Sequence, residues 1–542
     1  MAESKKPLST HKFLYRSFKK SLVIFLKETG LHGLKFVGDA KLSNWERLFF
    51  LCSFVAAFVM TCQLITNIYI KWESTPVIIG ISPHATSVLK VPFPAITICN
   101  MNQVLRSKVD MYQADSKESA ILKLLCNEDS EEFEDDSSPF ASNLRNNTLQ
   151  ISEFVAANSQ PCEQMLLYCR FSSIQYDCMD LFRAIITDEG LCCVFNFLPP
   201  EFLYKTHRSS TRNLTNRLGF VPVKWNPETG YPNVLPEKYY PSAAIGPGIS
   251  LGFTVVMDAQ LNEYYCSSTN GPGFKVFFHN PIEVPSVKEA GLITAIGHET
   301  NYRIEVNRGE AVSAIRSISR DRRQCVFRNE QTLLFYEIYT RRNCENECLA
   351  MYLYDSCSCL PFDYPKIYEN ASICLMRDTF CVKQAQRSEM RPNWAKCRKQ
   401  CLPSCFDLTY MASGFPFPLA SRNFKMANPL VGNMSKVYLR DNIAVMNVYY
   451  RESVYYGNMK NVYIGLTEFL SNIGGVMGLF MGFSVISLAE IFYFLILKPL
   501  TELISWKRSS TQIAEIKHKA FELENKPNIW HTKELYPKGL KM

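Results

Sequence analysis

Residues 462–497, VYIGLTEFLSNIGGVMGLFMGFSVISLAEIFYFLIL, carry the groups best suited to handling a cation. The run is mostly apolar and exceeds the ~20 residues a helix needs to cross a bilayer. Gly474, Gly478 and Gly482 recur every fourth residue, and Ser471, Asn472, Ser484 and Ser487 add polar groups. Glu468 and Glu490 place a carboxylate towards each end. An ionisable group at membrane depth costs roughly 2.5–3.5 kcal/mol on insertion scales, so it faces protein or water rather than lipid. On a helical wheel Glu468, Asn472, Gly475, Leu479 and Gly482 share one stripe, a lining of polar and small residues suited to a water-filled axis.

Gly482 lets the chain leave a helix at small cost. Main-chain carbonyls freed at membrane depth are tolerated only where they line a cavity or are buried in protein, and rings of such carbonyls select cations. The chemistry expected of Gly482-Phe483-Ser484 is ion coordination, with Glu468 and Glu490 concentrating cations on either side. The competing reading makes the glycines close-packing contacts between helices, with no water on the stripe.

A second apolar run must accompany the first. Residues 48–70, LFFLCSFVAAFVMTCQLITNIYI, contain no charge and are long enough to span a membrane with some tilt. Residues 1–47 hold ten Lys/Arg against four Asp/Glu. These charges have no Arg-Gly or aromatic repeat, so they read as a topology signal rather than a nucleic-acid surface. With Lys498, Lys507 and Arg508 after the second run, they place both termini in the cytoplasm. The apolar stretch 22–26 is too short for the core of a cleaved signal peptide.

Two spans leave residues 71–461 outside the cell. Of 20 Cys, only Cys52 and Cys62 lie in a span, and the rest fall in this loop. A dense, even set in an oxidising compartment reads as a disulfide framework. The four N-x-S/T sequons, at Asn146, Asn213, Asn370 and Asn433, fall there too and are candidate glycosylation sites. The expected order is a tail (1–47), a first span (48–70), an extracellular domain (71–461), a pore span (462–497) and a loosely ordered cytoplasmic tail (498–542).

Within the tail, glycines at 30 and 33 flank His32 and break any helix running through residues 14–28. From the residues alone this segment is a loop turning the chain towards the first span. In the large loop, residues 95–98, 190–196, 250–257, 274–279, 302–306 and 443–450 alternate or are β-branched enough to read as strands, the last feeding the pore span. Residues 127–147 are acidic and polar, a solvated loop, with a cation or proton sensor as the lesser reading. Residues 325–405 hold ten Cys. Cys344 and Cys348 are four apart, as are Cys397, Cys401 and Cys405, so two antiparallel helices could be stapled rung by rung, with Cys357–Cys381 making the turn between them. Zinc could use the same C-x3-C spacing, but thiols outside the cell are oxidised. No P-loop, nucleophile elbow, HExxH or EF-hand pattern occurs. The eight His are scattered without metal spacing, so no enzyme, cofactor or metal site is expected.

In combination, His32-Gly33, Phe93-Pro94-Ala95-Ile96-Thr97-Ile98-Cys99-Asn100, Gly190 with Phe195-Asn196, the ten-Cys segment, and 470–475 running on to Gly482-Phe483-Ser484 and Glu490 resemble the degenerin, epithelial sodium channel and acid-sensing ion channel family, most like its insect pickpocket branch. The resemblance covers residues 13–500, nearly the whole chain. It implies a membrane α fold with a large disulfide-rich α+β ectodomain: two transmembrane helices per subunit, and palm, β-ball, finger, knuckle and thumb in a trimer like that of acid-sensing channels. It implies a sodium-selective, amiloride-sensitive channel of the plasma membrane, gated from outside by protons, a ligand or force. The partners it implies are further copies or related subunits in a homotrimer or heterotrimer, the lipid bilayer and the permeating sodium. Gly482, Phe483 and Ser484 match the selectivity filter, Gly475 a position implicated in amiloride block, Glu490 an acidic residue just inside the filter, and His32 and Gly33 a gating and filter-supporting turn. The disulfides implied are Cys99–Cys192, Cys169–Cys178, Cys325–Cys405, Cys344–Cys401, Cys348–Cys397, Cys357–Cys381 and Cys359–Cys374. Cys126, Cys162, Cys193 and Cys266 stand outside that pattern. The chain departs from it at Phe483, where small residues are usual. It departs also at Asn472, which replaces a pore Asp of acid-sensing members, and at Arg322, near a thumb-base Trp position facing Trp72. The alternatives are a subunit that conducts only in heteromers and a two-pass receptor or adhesion protein without a pore.

Overall fold

The computed structural model describes residues 10–113, 116–126, 150–205, 220–364, 366–368, 370–388, 390–419 and 424–524. Asn146, Asn213 and the acidic stretch 127–147 lie outside them. The chain divides into two units, Met1–Pro76 with Tyr463–Met542, and Val77–Val462.

In the first unit a helix, Thr10–Glu28, stops at Thr29-Gly30, and the chain turns through Gly33 in the left-handed region (φ 76°) into a one-turn helix, Leu34–Gly38. A capping box starts the next helix: Ser43 and Glu46 satisfy each other's backbone N–H groups at the head of Asn44–Ser74. At 31 residues it is about 46 Å long. Only 6 % of its most apolar window, mean hydropathy 2.3, is buried within the chain. An apolar helix open on nearly all sides is built for lipid or for other copies.

The second apolar run is not one helix. It comprises Leu466–Met481, a break, Val485–Phe492, a π-helical turn at Tyr493–Leu497, and Lys498–Glu524. Two expectations are corrected here. Val462 does not begin the helix: it closes the strand Asn458–Val462, whose antiparallel pairing with Val77–Ile81 overrides the apolar pattern. Residues 498–524 are not a loose tail: rich in good helix formers and continuous with the turn before them, they form a helix. Its Trp506 stacks on Phe13 at 4.7 Å between centroids.

The second unit is built on two sheets. The larger runs in the order Val77–Ile81, Asn458–Val462, His298–Ala311, Ile443–Tyr450, Phe253–Asp258, Leu166–Phe171, Ile174–Tyr176, with Asp407–Pro418 paired to the long strand His298–Ala311. The smaller is Leu292–Ala295, Gly273–His279, Ala95–Asn100, Gly190–Phe195, Phe182–Thr187. Ile443–Tyr450 was expected to feed the pore helix. It is instead a central strand with seven of eight residues buried, and Asn458–Val462 is the strand that leads on. Strands buried on both faces read as continuous β-branched and aromatic runs, so position in a sheet is not visible in the pattern. Phe93, Phe171, Phe182, Phe195 and Phe253 interlock in the core between the sheets, with Phe195 and Phe253 stacked at 4.7 Å.

The cysteine-rich segment forms helices at Arg341–Cys357, Thr379–Ser388 and Met390–Gln400. Cys344–Cys401 and Cys348–Cys397 are successive rungs, Cys357–Cys381 and Cys359–Cys374 close one end, and Cys325–Cys405 joins its base. The first helix is fixed by Thr340, which caps it through the Asn343 N–H (3.1 Å). Its buried Glu347 accepts the backbone N–H groups of Leu334 and Phe335 at 2.6 and 2.8 Å. Cys99–Cys192 and Cys169–Cys178 staple the sheets. Two pairs that the sequence left open are also present, Cys126–Cys266 and Cys162–Cys193. Cys52 and Cys62, in the apolar helix, are free thiols. Among the described residues no group of His, Cys, Asp and Glu is arranged to hold a metal.

Candidate functional site: a broken helix and the turn that braces it

Leu466–Met481 ends because Gly482 adopts φ 65°, ψ 23°, a conformation costly for any residue with a Cβ. The Gly482 N–H reaches Gly478 O (2.9 Å) and the Phe483 N–H reaches back six residues to Met477 O (3.3 Å). This closure of the Schellman kind satisfies the last turn's carbonyls. Ser484 is extended and caps the next helix: its hydroxyl accepts the Ser487 N–H, and the Ser487 hydroxyl accepts the Ser484 N–H, both at 3.2 Å. Ser487 is buried. The helices meet at 67°. Among the described residues, no backbone N–H donates to the carbonyl of Gly482 or of Phe483. Carbonyls left without a backbone donor in an apolar segment are tolerated where they line a water-filled cavity or are buried against protein.

The break is braced by the turn at His32, some 450 residues away in sequence. The His32 N–H donates to Met481 O at 2.9 Å. The ring lies against Gly482, so that a Cβ there would fall 2.6 Å from Cδ2 and 2.7 Å from Nε2. Gly33, at positive φ, allows the chain to leave this contact. Leu31 and Thr29 are buried beneath the turn, and Phe36 stacks on Phe50 at 4.5 Å, tying it to the first apolar helix. On the far side of the break, Glu490 accepts the Gly30 N–H in a long contact of 3.4 Å. Phe25 lies beside Phe494 of the π-helical turn, 6.1 Å between centroids. Gly482, the carbonyl end of the helix at Met481 and Glu490 therefore all meet one short turn of the tail.

Upstream of the break, Glu468, Asn472, Gly475 and Leu479 are all exposed, as are Leu466, Leu470 and Gly474 of the same helix. A Cβ on Gly474 or Gly475 would meet nothing within 4 Å. The start of this helix is held elsewhere: Phe469 packs on Trp72 at 4.8 Å, Lys71 lies over Tyr463 at 5.1 Å, and the Tyr463 N–H donates to Pro76 O at 3.1 Å. Helix 466–481 thus fastens its upper end to the first apolar helix and leaves its glycine and carboxylate stripe open. Of the remaining sequence candidates, Asn370 sits in an exposed turn and Asn433 is exposed at the end of a short helix.

Sequence reasoning did not find the Met481 carbonyl as the anchor of His32, since a backbone acceptor leaves no mark on residue type. It named Ser484 and Ser487 as polar groups without pairing them, although S-x-x-S at a helix start carries the spacing of a capping box.

The chain combines an apolar segment broken at Gly482 with an α+β unit braced by disulfides, and its likeness to known proteins places it among membrane channel subunits. The amiloride-sensitive sodium channel family matches residues 25–494, and the chain belongs to that family. Its members are ion channels, not enzymes. Pickpocket protein 28 of Drosophila melanogaster is 37 % identical over 492 residues, covering 89 % of this chain and 79 % of that protein. Sodium channel protein Nach of the same organism is 24 % identical over 483 residues, 87 % and 86 % of the two chains. Acid-sensing ion channel 2 of Danio rerio is 24 % identical over 446 residues, 76 % and 72 %.

Proposed function

We propose that three such subunits, alike or with related partners, surround one axis as a sodium-selective, amiloride-sensitive channel of the plasma membrane opened by an extracellular stimulus. The observation that carries this reading is the pair of free carbonyls at Gly482 and Phe483, held at a 67° break by His32. Copied three times, they form a ring of main-chain oxygens of the kind that replaces an ion's hydration shell. Ser484 closes the filter. Glu468 and Glu490 add a carboxylate ring before and after it, raising the local cation concentration. The open face at Gly474 and Gly475 supports a position on the axis, and Gly475 is the candidate contact for amiloride.

In this reading both termini are cytoplasmic, helices Asn44–Ser74 and Leu466–Leu497 cross the bilayer, and Val77–Val462 lies outside with its nine disulfides and its glycans at Asn146, Asn213, Asn370 and Asn433. Asn458–Val462 delivers movement of the outer sheet to the pore helix through the three residues between them. The test is the reversal potential in cells expressing the protein with sodium or chloride replaced in turn. The potential is expected to follow sodium and ignore chloride, and block by amiloride to weaken in Gly475→Cys. A potential that tracks chloride overturns the reading.

A further inference from the structure

Arg183 lies on the strand Phe182–Thr187, inside the second unit, with 6 % of its surface exposed. One end of the guanidinium is satisfied: Nη2 donates to Phe197 O at 2.6 Å and to Leu198 O. The other end is not, for Nη1 is fully buried without a partner. No described carboxylate forms an ion pair with it. Burial holds the guanidinium's pKa below its ordinary value, and the nearby Glu201 carboxylate offsets only part of that. The guanidinium lies over the Phe197 ring at 5.2 Å, but a buried cation with no ion pair and an orphaned N–H is still among the costlier features a fold can carry.

Arg183 also lines a cavity of about 20 Å³, room for one water-sized occupant. Phe171, Phe195, Phe220 and Tyr240 line it as well. Aromatic rings present a positive edge to whatever lies in their plane. The single carboxylate on the lining, Asp180, is only half-buried, so solvent screens it. We propose that this cavity binds a chloride ion, or another halide of similar size, as counter-ion to the Arg183 guanidinium. Phe171 belongs to the larger sheet, and Arg183 and Phe195 to the smaller. The ion therefore sits where the two sheets join and stabilises that junction. The assignment does not depend on the pore reading.

The test uses the full-length protein crystallised with sodium bromide in place of chloride. Diffraction at the bromine edge is expected to give an anomalous peak beside Arg183 Nη1. Density there without an anomalous signal, or no density, means a water or an empty cavity and overturns the proposal. Arg183→Met is expected to lose the peak, and a peak retained there removes the guanidinium from the site. Should that variant fail to fold, Phe220→Trp, which fills the cavity and leaves the guanidinium in place, is expected to lose the peak. Its persistence in Phe220→Trp equally contradicts the assignment. In solution, exchanging chloride for methanesulfonate, too large for the cavity, is expected to lower the Tm of the parent protein.

Discussion

Replacing Gly482 by alanine tests the brace at the helix break with two separable costs. The residue sits at φ 65°, where a Cβ costs about 1–2 kcal/mol. The added carbon would also lie 2.6 Å from His32 Cδ2, far inside contact distance. The ring cannot simply swing away with its turn, because the His32 N–H is bonded to Met481 O. Overpacking of this kind costs about 1–3 kcal/mol. The sum, about 2–5 kcal/mol, shifts the equilibrium between the formed and the collapsed break by roughly thirty-fold to several thousand-fold at 1.4 kcal/mol per decade. Gly482→Ala is therefore expected to abolish sodium current at unchanged surface expression and to lower the Tm of the purified channel. His32→Ala removes the ring, so the double variant is expected to recover the steric part in Tm, a positive coupling of about 1–3 kcal/mol in a double-mutant cycle. Parental current in Gly482→Ala, or strictly additive Tm changes, would refute the contact and the role given to it.

Three further outcomes follow from other parts of the molecule. Glu490→Gln keeps an acceptor for the Gly30 N–H and removes the charge, so single-channel recording is expected to show severalfold lower sodium conductance; unchanged conductance removes Glu490 from the ion path. Cys162→Ala with Cys193→Ala opens a bridge spanning 31 residues and is expected to cost about 2–4 kcal/mol, read as a lower Tm; an unchanged Tm shows the bridge is dispensable. His279 is buried neutral, its Nδ1–H donating to Asn280 O (3.1 Å) and its Nε2 accepting from Thr97 (2.9 Å), and burial pulls its pKa down to about 3 from 6.5. The unfolded chain therefore takes up a proton that the folded one refuses, and stability is lost as pH falls from 6.5 towards about 3. His279→Asn is expected to flatten that part of the Tm–pH curve, and parallel curves would contradict it.

The apolar helix Asn44–Ser74 and the break after Met481 were readable because their signals are local. Twenty-three uncharged residues at 48–70 announce a span, and a glycine between apolar turns announces a break. The four-residue cysteine spacing was enough to expect rungs between two antiparallel helices, but the partners Cys344–Cys401 and Cys348–Cys397 came only from the family resemblance. The bracing of the break was not readable from residue types, because His32 meets Gly482 through tertiary contact and its hydrogen bond goes to a backbone carbonyl. Cys126–Cys266 spans 140 residues, across a distance at which spacing carries no information. The helix 498–524 was missed because its mixed charge looks like a tail. What orders it is a partner, Thr10–Glu28, brought in by Phe13 on Trp506 and by the Ser17 hydroxyl on Glu502. The strand 443–450 was recognised, but its central place in the sheet depends on its neighbours Phe253–Asp258 and His298–Ala311.

The central claim is that free main-chain oxygens at Gly482 and Phe483 meet a sodium ion on a shared axis. A cryo-EM map of the assembled protein in sodium chloride tests it most directly. Three subunits with residues 482–484 at the narrowest point, carbonyls inward and the His32 turn behind them, is the result expected. Second helices sealed in dry contact along Gly474 and Gly478, or these carbonyls turned towards lipid, would contradict it.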